Sequence, residues 1–231
     1  MMVADSWTAQ AEQIRAARSD LVIASVPYQM EAVAEILKAG TRFLGLSPRS
    51  LSDISTDIAA IAGVLGVEER GHEVIRTFQG EIEAMRAKTA KTGSRPRVFC
   101  EQWGKPILRS QPWVAELVEA AGGQFMGTPG NGASPESVLD DDPDVIIAAW
   151  CGAADRVPLE KIVQQRGWEQ LRAVRQQRVY CVRDDYLNTP APTLIHGLRA
   201  LASAIHPELF PAVPGLRRIT ALSNPPRYPS V

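Results

Sequence analysis

The chain has 231 residues, 45% apolar and 22% charged, with 25 basic and 26 acidic side chains and a net charge of −1. That is a globular composition, long enough for one large domain or two small ones, and its balanced charge leaves no electrostatic footprint for nucleic acid. The longest near-apolar run, Val145 to Ala154, is about half of the roughly 20 residues that span a bilayer, so no transmembrane segment is expected.

The first twenty residues, MMVADSWTAQAEQIRAARSD, contain no apolar run of the kind that forms a secretory leader. Trp7 to Arg18 reads as a short helix. LVIAS (21–25) then reads as a strand, Gln29 to Ala39 as a helix stopped by Gly40, RFLGL (42–46) as a second strand ending at Ser47-Pro48-Arg49, and Leu51 to Leu65 as a further helix. From Glu68 to Lys91 the pattern changes: Val74, Ile75, Phe78, Ile82 and Met85 recur at helical spacing without a proline. About 24 residues of helix would extend roughly 36 Å, enough to cross a domain. Gly93 and Pro96 end it.

A second block follows, with RVFC (97–100) as a strand, QPWVAELVEAAGG as a helix, and SPESVLDDDP as a short helix with Ser134 at its N-cap and Pro135 at N1. DVIIAAW (144–150) has the continuous apolar character of a strand covered on both faces. A helix over 159–165, the strand RVYCV (178–182), a helix from Thr193 to Ile205 and an irregular, proline-rich tail from Pro211 complete the chain. The expected fold is α/β: two Rossmann-like lobes with parallel sheets, over 1–66 and 94–231, joined by one long backbone helix within 67–93.

Ligands in open parallel sheets bind beyond the carboxyl ends of the strands, and here those positions are aromatic. Val26-Pro27-Tyr28 follows the first strand, Glu101-Gln102-Trp103-Gly104 follows RVFC, Trp150-Cys151-Gly152 ends DVIIAAW, and Asp184-Asp185-Tyr186 follows RVYCV. Two of the five tryptophans and two of the four tyrosines therefore sit at strand exits. Such rings suit a bulky, planar, partly apolar ligand; the plain alternative is that they cap the sheet ends. Trp113 and Trp168, beside helices, read as core.

Catalytic patterns are sparse. GTPGNG (127–132) fits neither GxGxxG nor a P-loop and reads as a loop, and there is no GxSxG elbow or HExxH motif. His72, His196 and His206 are too scattered for a metal site and read as helix-surface or capping residues. Asp140 to Asp142 with Asp144 reads as a solvated turn. Cys100, Cys151 and Cys181 end apolar runs and read chiefly as inert core thiols.

Several segments together resemble the periplasmic binding proteins with a rigid helical backbone, which serve ABC importers of cobalamin, haem and iron-siderophores, and most of all the cobalamin-binding type. They are DLVIASVPYQMEAVAEILKAG, TRFLGLSPRSLSDISTDIAAIAGVLG, RPRVFCEQWGKPI, SPESVLDDDPDVIIAAW and RVYCVRDDYLNTPAPTLIHGLRALASAIHPELF, covering about residues 20 to 210. The resemblance implies a non-enzymatic binding protein without a cofactor that holds cobalamin or a related corrinoid between its lobes. Its ligand-facing positions would be Tyr28, Trp103, Trp150 and Tyr186, with Ser25, Arg49, Gln102 and Asp185 as polar neighbours. It also implies docking on an ABC permease through Glu31 and Glu136, one on each lobe, and a periplasmic location.

Haem or an iron-siderophore on the same fold is the second expectation, with Arg49, Lys105 and Arg183 available to an anionic ligand. A cytosolic α/β enzyme or regulatory domain derived from the fold is a third, supported by the missing leader. Family members carry an opening strand and helix, whereas about 20 residues precede LVIAS here. The uncovered edge of a smaller first sheet would offer a route to a homodimer.

Overall fold

The computed structural model describes residues 8–26 and 28–220. Trp7, Pro27 and the end of the tail from 221, all named above, lie outside them. The first part of the chain runs α1 (Ala11–Ala16), β1 (Leu21–Ser25), α2 (Met30–Ala39), β2 (Arg42–Leu46) and α3 (Leu51–Leu65). β1 and β2 pair in parallel, Leu21 opposite Arg42 and Ser25 opposite Leu46, as a two-stranded sheet. This sheet is thinly covered: Ile23 is exposed in the middle of β1, and no residue of α2 is fully buried.

α3 starts at a capping box, in which Ser50 Oγ accepts from Asp53 N and the Asp53 carboxylate accepts from Ser50 N. The Arg49 and Ser50 groups around Asp53 hold its carboxyl below the ordinary aspartate range. α3 is followed by α4 (Glu68–Thr89), the expected long helix. The two helices lie close because Gly71 meets Ala62, where an added Cβ would stand 2.5 Å from the alanine methyl.

The rest of the chain builds a larger sheet. Its elements are β3 (Arg97–Gly104), β4 (Ile107–Arg109), α5 (Pro112–Ala120), β5 (Gln124–Phe125), β6 (Gly132–Ala133), α6 (Pro135–Asp141), β7 (Val145–Ala148), α7 (Leu159–Arg166), α8 (Arg172–Arg175), β8 (Val179–Val182), a 3-10 turn at Asp184–Tyr186, α9 (Leu194–Ile205) and β9 (Leu216–Arg218). The strand order is β6-β4-β3-β7-β8-β9, with β5 beside the start of β3. β3, β5, β7 and β8 are parallel, whereas β4, β6 and β9 pair antiparallel.

The sheet is therefore mixed, where a parallel one was expected. RVFC continues through Glu101 and Trp103 and turns back on itself as a hairpin, so Gln102 and Trp103 are strand residues. The end of the GTPGNG loop pairs with β4, and the start of the tail adds an edge strand through Leu216–Arg218. Backbone groups at the sheet edges find partners this way in segments too polar or short to read as strands.

Alternation along the strands gives the sheet two covered faces. Val98, Cys100, Val145, Ile147, Tyr180 and Val182 face α4, α5 and α9, where Phe78, Trp113 and Leu198 pack. Leu51 and Ile54 of α3 join the same core. Phe99, Ile146, Ala148, Val179 and Cys181 face α6, α7 and α8 together with Trp168. Trp113 and Trp168 are thus core, as expected.

Other expectations are corrected. Cys100 and Cys181 are buried, but Cys151 is exposed, because it falls in the loop beyond β7. His206 is the C-cap of α9, as the capping reading expected, but it is buried rather than on the helix surface, with Gly122 O and Glu208 beside its ring nitrogens. Asp142 and Asp144 are not merely solvated: both hold Arg172.

Phe78 reaches the large core from α4 and is 1% exposed. Phe78→Ala is expected to lower the unfolding free energy by about 3–5 kcal/mol. Met30→Ala, at a side chain 82% exposed, is expected to stay within about 0.5 kcal/mol of the parent. Urea unfolding of the three proteins measures both.

Candidate functional site

An open cavity of about 1080 Å³ lies beside the carboxyl ends of β3 and β7, lined by residues from 103 to 166. Trp103 and Trp150 stand on its wall, with Ile107 and Ile162 among its apolar surfaces. Its size suits a ligand at or beyond the upper end of drug-like molecules.

Trp150 is fixed in place. Two residues past β7, it extends the side-chain row of Ile146 and Ala148 and is half-buried. Its indole Nε1 donates to Glu101 Oε1 at 2.8 Å. Glu101 is 1% exposed, on the β3 face shared with Phe99, and its other oxygen accepts from Arg166 Nη1 at 2.8 Å. Arg166, the last residue of α7, donates from Nη2 to Gly104 O at 2.9 Å and lies with its guanidinium carbon 4.7 Å from the Trp168 ring centroid and 5.9 Å from that of Trp150.

Burial pushes the Glu101 carboxyl upward, against the pull of Arg166 and Trp150. A buried pair of this kind is sustained only when its remaining polar groups are also bonded, and both carboxylate oxygens here have partners. Gly104 completes the arrangement by lying directly against the indole, where a Cβ would stand 2.1 Å from a ring carbon.

The loop beyond β7 is held from the next strand exit. Asp184 accepts from Gly152 N at 2.6 Å and Ala154 N at 3.0 Å, and Asn188 Nδ2 donates to Ala149 O at 2.7 Å. Cys151 N donates to Gln102 O at 3.1 Å, which ties the loop to β3. Cys151 Sγ lies 3.3 Å from Asn188 Nδ2; although the residue as a whole is exposed, partial desolvation of its sulfur, with Asp184 nearby, raises the thiol pKa.

Of the eight ligand-facing positions expected from the sequence, Trp103 and Trp150 line this cavity. Trp103 is 43% exposed, and its Nε1 donates to Lys105 O. Gln102 is half-buried beside them. Gln102 and the remaining five positions lie outside the lining. Asp185 is exposed and grips Arg183 through two contacts of 3.0 and 3.1 Å, while the Tyr186 ring lies 5.1 Å from His196. Ser25 ends β1, and Tyr28 and Arg49 lie in the segments that follow β1 and β2.

Tyr28 Oη closes the ends of β1 and β2, 2.6 Å from Leu46 O and 2.9 Å from Ala24 O, and burial raises its pKa. Ser25 Oγ is buried without a hydrogen-bond partner among the described residues, and Arg49 is exposed. Glu31 and Glu136 are exposed in the first turns of α2 and α6. The N-terminal backbone of α6 and Ser134 hold the Glu136 carboxyl below its usual range.

Glu101, Arg166, Asp184 and Asn188 are the positioning residues that sequence reasoning did not assign to the site. Alternation along β3 is the one signal for Glu101, since it sets that carboxylate on the α7 face with Phe99. Among the described residues, no group of three or more His, Cys, Asp and Glu could hold a metal ion. No helix among them is long and apolar enough to cross a membrane.

A mixed sheet covered on both faces, a separate small parallel sheet, a long helix between them and an aromatic cavity at the strand ends define a two-lobed binding-protein fold. The family model described as periplasmic binding protein matches residues 2–186, and the chain belongs to that family. It is 23% identical over 211 residues to an uncharacterized ABC transporter substrate-binding lipoprotein of Bacillus subtilis, covering 86% of this chain and 66% of the relative. It is 27% identical over 195 residues to a vitamin B12-binding protein of Vibrio parahaemolyticus, covering 81% and 68%.

Among solved structures, a periplasmic heme binding protein from Pseudomonas aeruginosa superposes with a TM-score of 0.82 at 21% identity, covering 94% of this chain and 83% of that one. The periplasmic vitamin B12 binding protein of Vibrio cholerae gives 0.67 at 23%, covering 88% and 80%. The chain thus spans about two thirds of the length of these two curated relatives.

Glu101→Ala is expected to leave the Arg166 charge buried without its partner and to cost about 3–5 kcal/mol, read by urea unfolding. Gly104→Ala is expected to displace the Trp150 indole. The check is a changed near-ultraviolet circular dichroism spectrum that is absent from a Gly104→Ala, Trp150→Phe double variant measured against Trp150→Phe alone.

Proposed function

We propose that the chain is the substrate-binding component of an ABC importer and that it captures a bulky metal chelate, a corrinoid of the cobalamin type, without chemical conversion. The observation that carries this reading is the cavity of about 1080 Å³ with Trp103 and a braced Trp150 on its wall. A rigid indole presents a large apolar face at little entropic cost on binding. The corrinoid assignment is supported by the vitamin B12-binding relatives in Vibrio. Tyr28 and Arg49 would approach the same ligand from the first lobe and Gln102 and Asp185 would border it from the second, whereas the buried Ser25 hydroxyl and Tyr186, packed toward His196, would support these contacts from behind.

Glu31 and Glu136 would meet basic residues of the permease. An exposed ion pair contributes little by itself, so engagement would depend on both lobes binding together. The long helix α4 restricts hinge motion, and capture would proceed by small lobe movements.

Titration with cyanocobalamin, dicyanocobinamide and haemin, followed by tryptophan fluorescence, tests the reading. Saturable quenching by a corrinoid is expected, and Trp150→Ala is expected to weaken it by about tenfold or more, in line with loss of a buried aromatic contact. Preference for haemin would overturn the corrinoid assignment, and no binding of any chelate would overturn capture itself. The Glu31→Ala, Glu136→Ala double variant is expected to retain ligand affinity and to lose stimulation of the importer's ATPase in reconstituted membranes.

A further inference from the structure

The charge on the cavity wall is one-sided. Its lining includes Lys105, Lys161 and Arg166 and no carboxylate. Arg166 is already neutralised by Glu101, which lies behind the wall. Lys105, at the tip of the β3–β4 hairpin, and Lys161, on α7, are exposed, and among the described residues neither takes part in an ion pair. Glu160, the carboxylate next to Lys161, is turned away and accepts from the backbone and hydroxyl of Thr220.

Two uncompensated ammonium groups thus face an otherwise largely apolar cavity. Bordered by low-dielectric walls, they act on a ligand more strongly than the same charges on an open surface.

We infer that Lys105 and Lys161 form an anion subsite within the chelate cavity, selecting ligands whose apolar ring carries an acidic peripheral group. The inference rests on the capture reading above and deepens it. Trp103 and Trp150 would take the ring, and the lysines would take the acid at its edge. The shared chemistry is an oxyanion, supplied either by the carboxylates of a porphyrin chelate or by the phosphodiester of a complete cobalamin.

Two matched pairs distinguish these sources: haemin against haemin dimethyl ester, and cyanocobalamin against dicyanocobinamide, which lacks the phosphodiester. In at least one pair the acidic member is expected to bind about tenfold more tightly at low salt, with the advantage shrinking as ionic strength rises. The Lys105→Gln, Lys161→Gln double variant is expected to abolish that advantage while still binding the neutral member with parental affinity. Its unfolding midpoint should match the parent, since neither ammonium group is ion-paired.

Equal affinity within each pair, or a preference that survives in the double variant, overturns the anion subsite and leaves chelate capture standing. If none of the four ligands binds, capture fails and the subsite fails with it.

Discussion

The cavity depends on one buried ion pair. Glu101 and Arg166 lie 65 positions apart in the chain, yet their contact joins β3, the hairpin tip, the loop beyond β7 and the end of α7. Desolvating two charges costs several kcal/mol per ion. Here that cost is offset because each carboxylate oxygen has its own donor and the guanidinium also reaches Gly104 O. An apolar pair of similar volume could fill the same space, but it would leave the Trp150 nitrogen without an acceptor and the indole free to turn. The pair contributes orientation as much as stability, and orientation is what a rigid binding wall needs.

Successive strand exits support one another. Asp184 and Asn188, after β8, hold the loop after β7, and that loop in turn bonds to Gln102 on β3. Residues that touch no cavity therefore shape its wall. This explains how a site made of loops can be firm: backbone groups freed where the strands end are taken up by side chains from the neighbouring exit. The two-sided core beneath, with Phe99 and Trp168 on one face and Val98 and Trp113 on the other, gives those loops a fixed base.

Much of this was legible in the sequence because it rests on periodicity. The strands LVIAS, RFLGL, VIIA and VYCV and the helices α3, α4, α5 and α9 follow from apolar spacing and caps. What escaped was decided by tertiary partners. Glu101 and Trp103 read as a loop because a carboxylate inside an apolar strand makes sense only beside an arginine from a distant helix. Leu216–Arg218 sits in proline-rich surroundings and becomes a strand only because β8 presents an open edge. Trp103 and Trp150 could be singled out by side-chain type, whereas Tyr186 stands at an equivalent strand exit and packs toward His196 instead. Residue type and strand position select candidates, and the rotamer decides which wall each one joins.

The junction of the two sheets has a consequence of another kind. Leu51 and Ile54 of α3 are buried in the core that α4, α5 and α9 build, and the Leu51 backbone N–H donates to Glu116 on α5 at 3.1 Å. α3, which follows the first sheet, is thus clasped to the second core through side chains as well as through the chain turn at Gly66. A single proteolytic cut in that turn would sever the covalent path without parting the halves, leaving a nicked protein in which two fragments co-migrate as one particle.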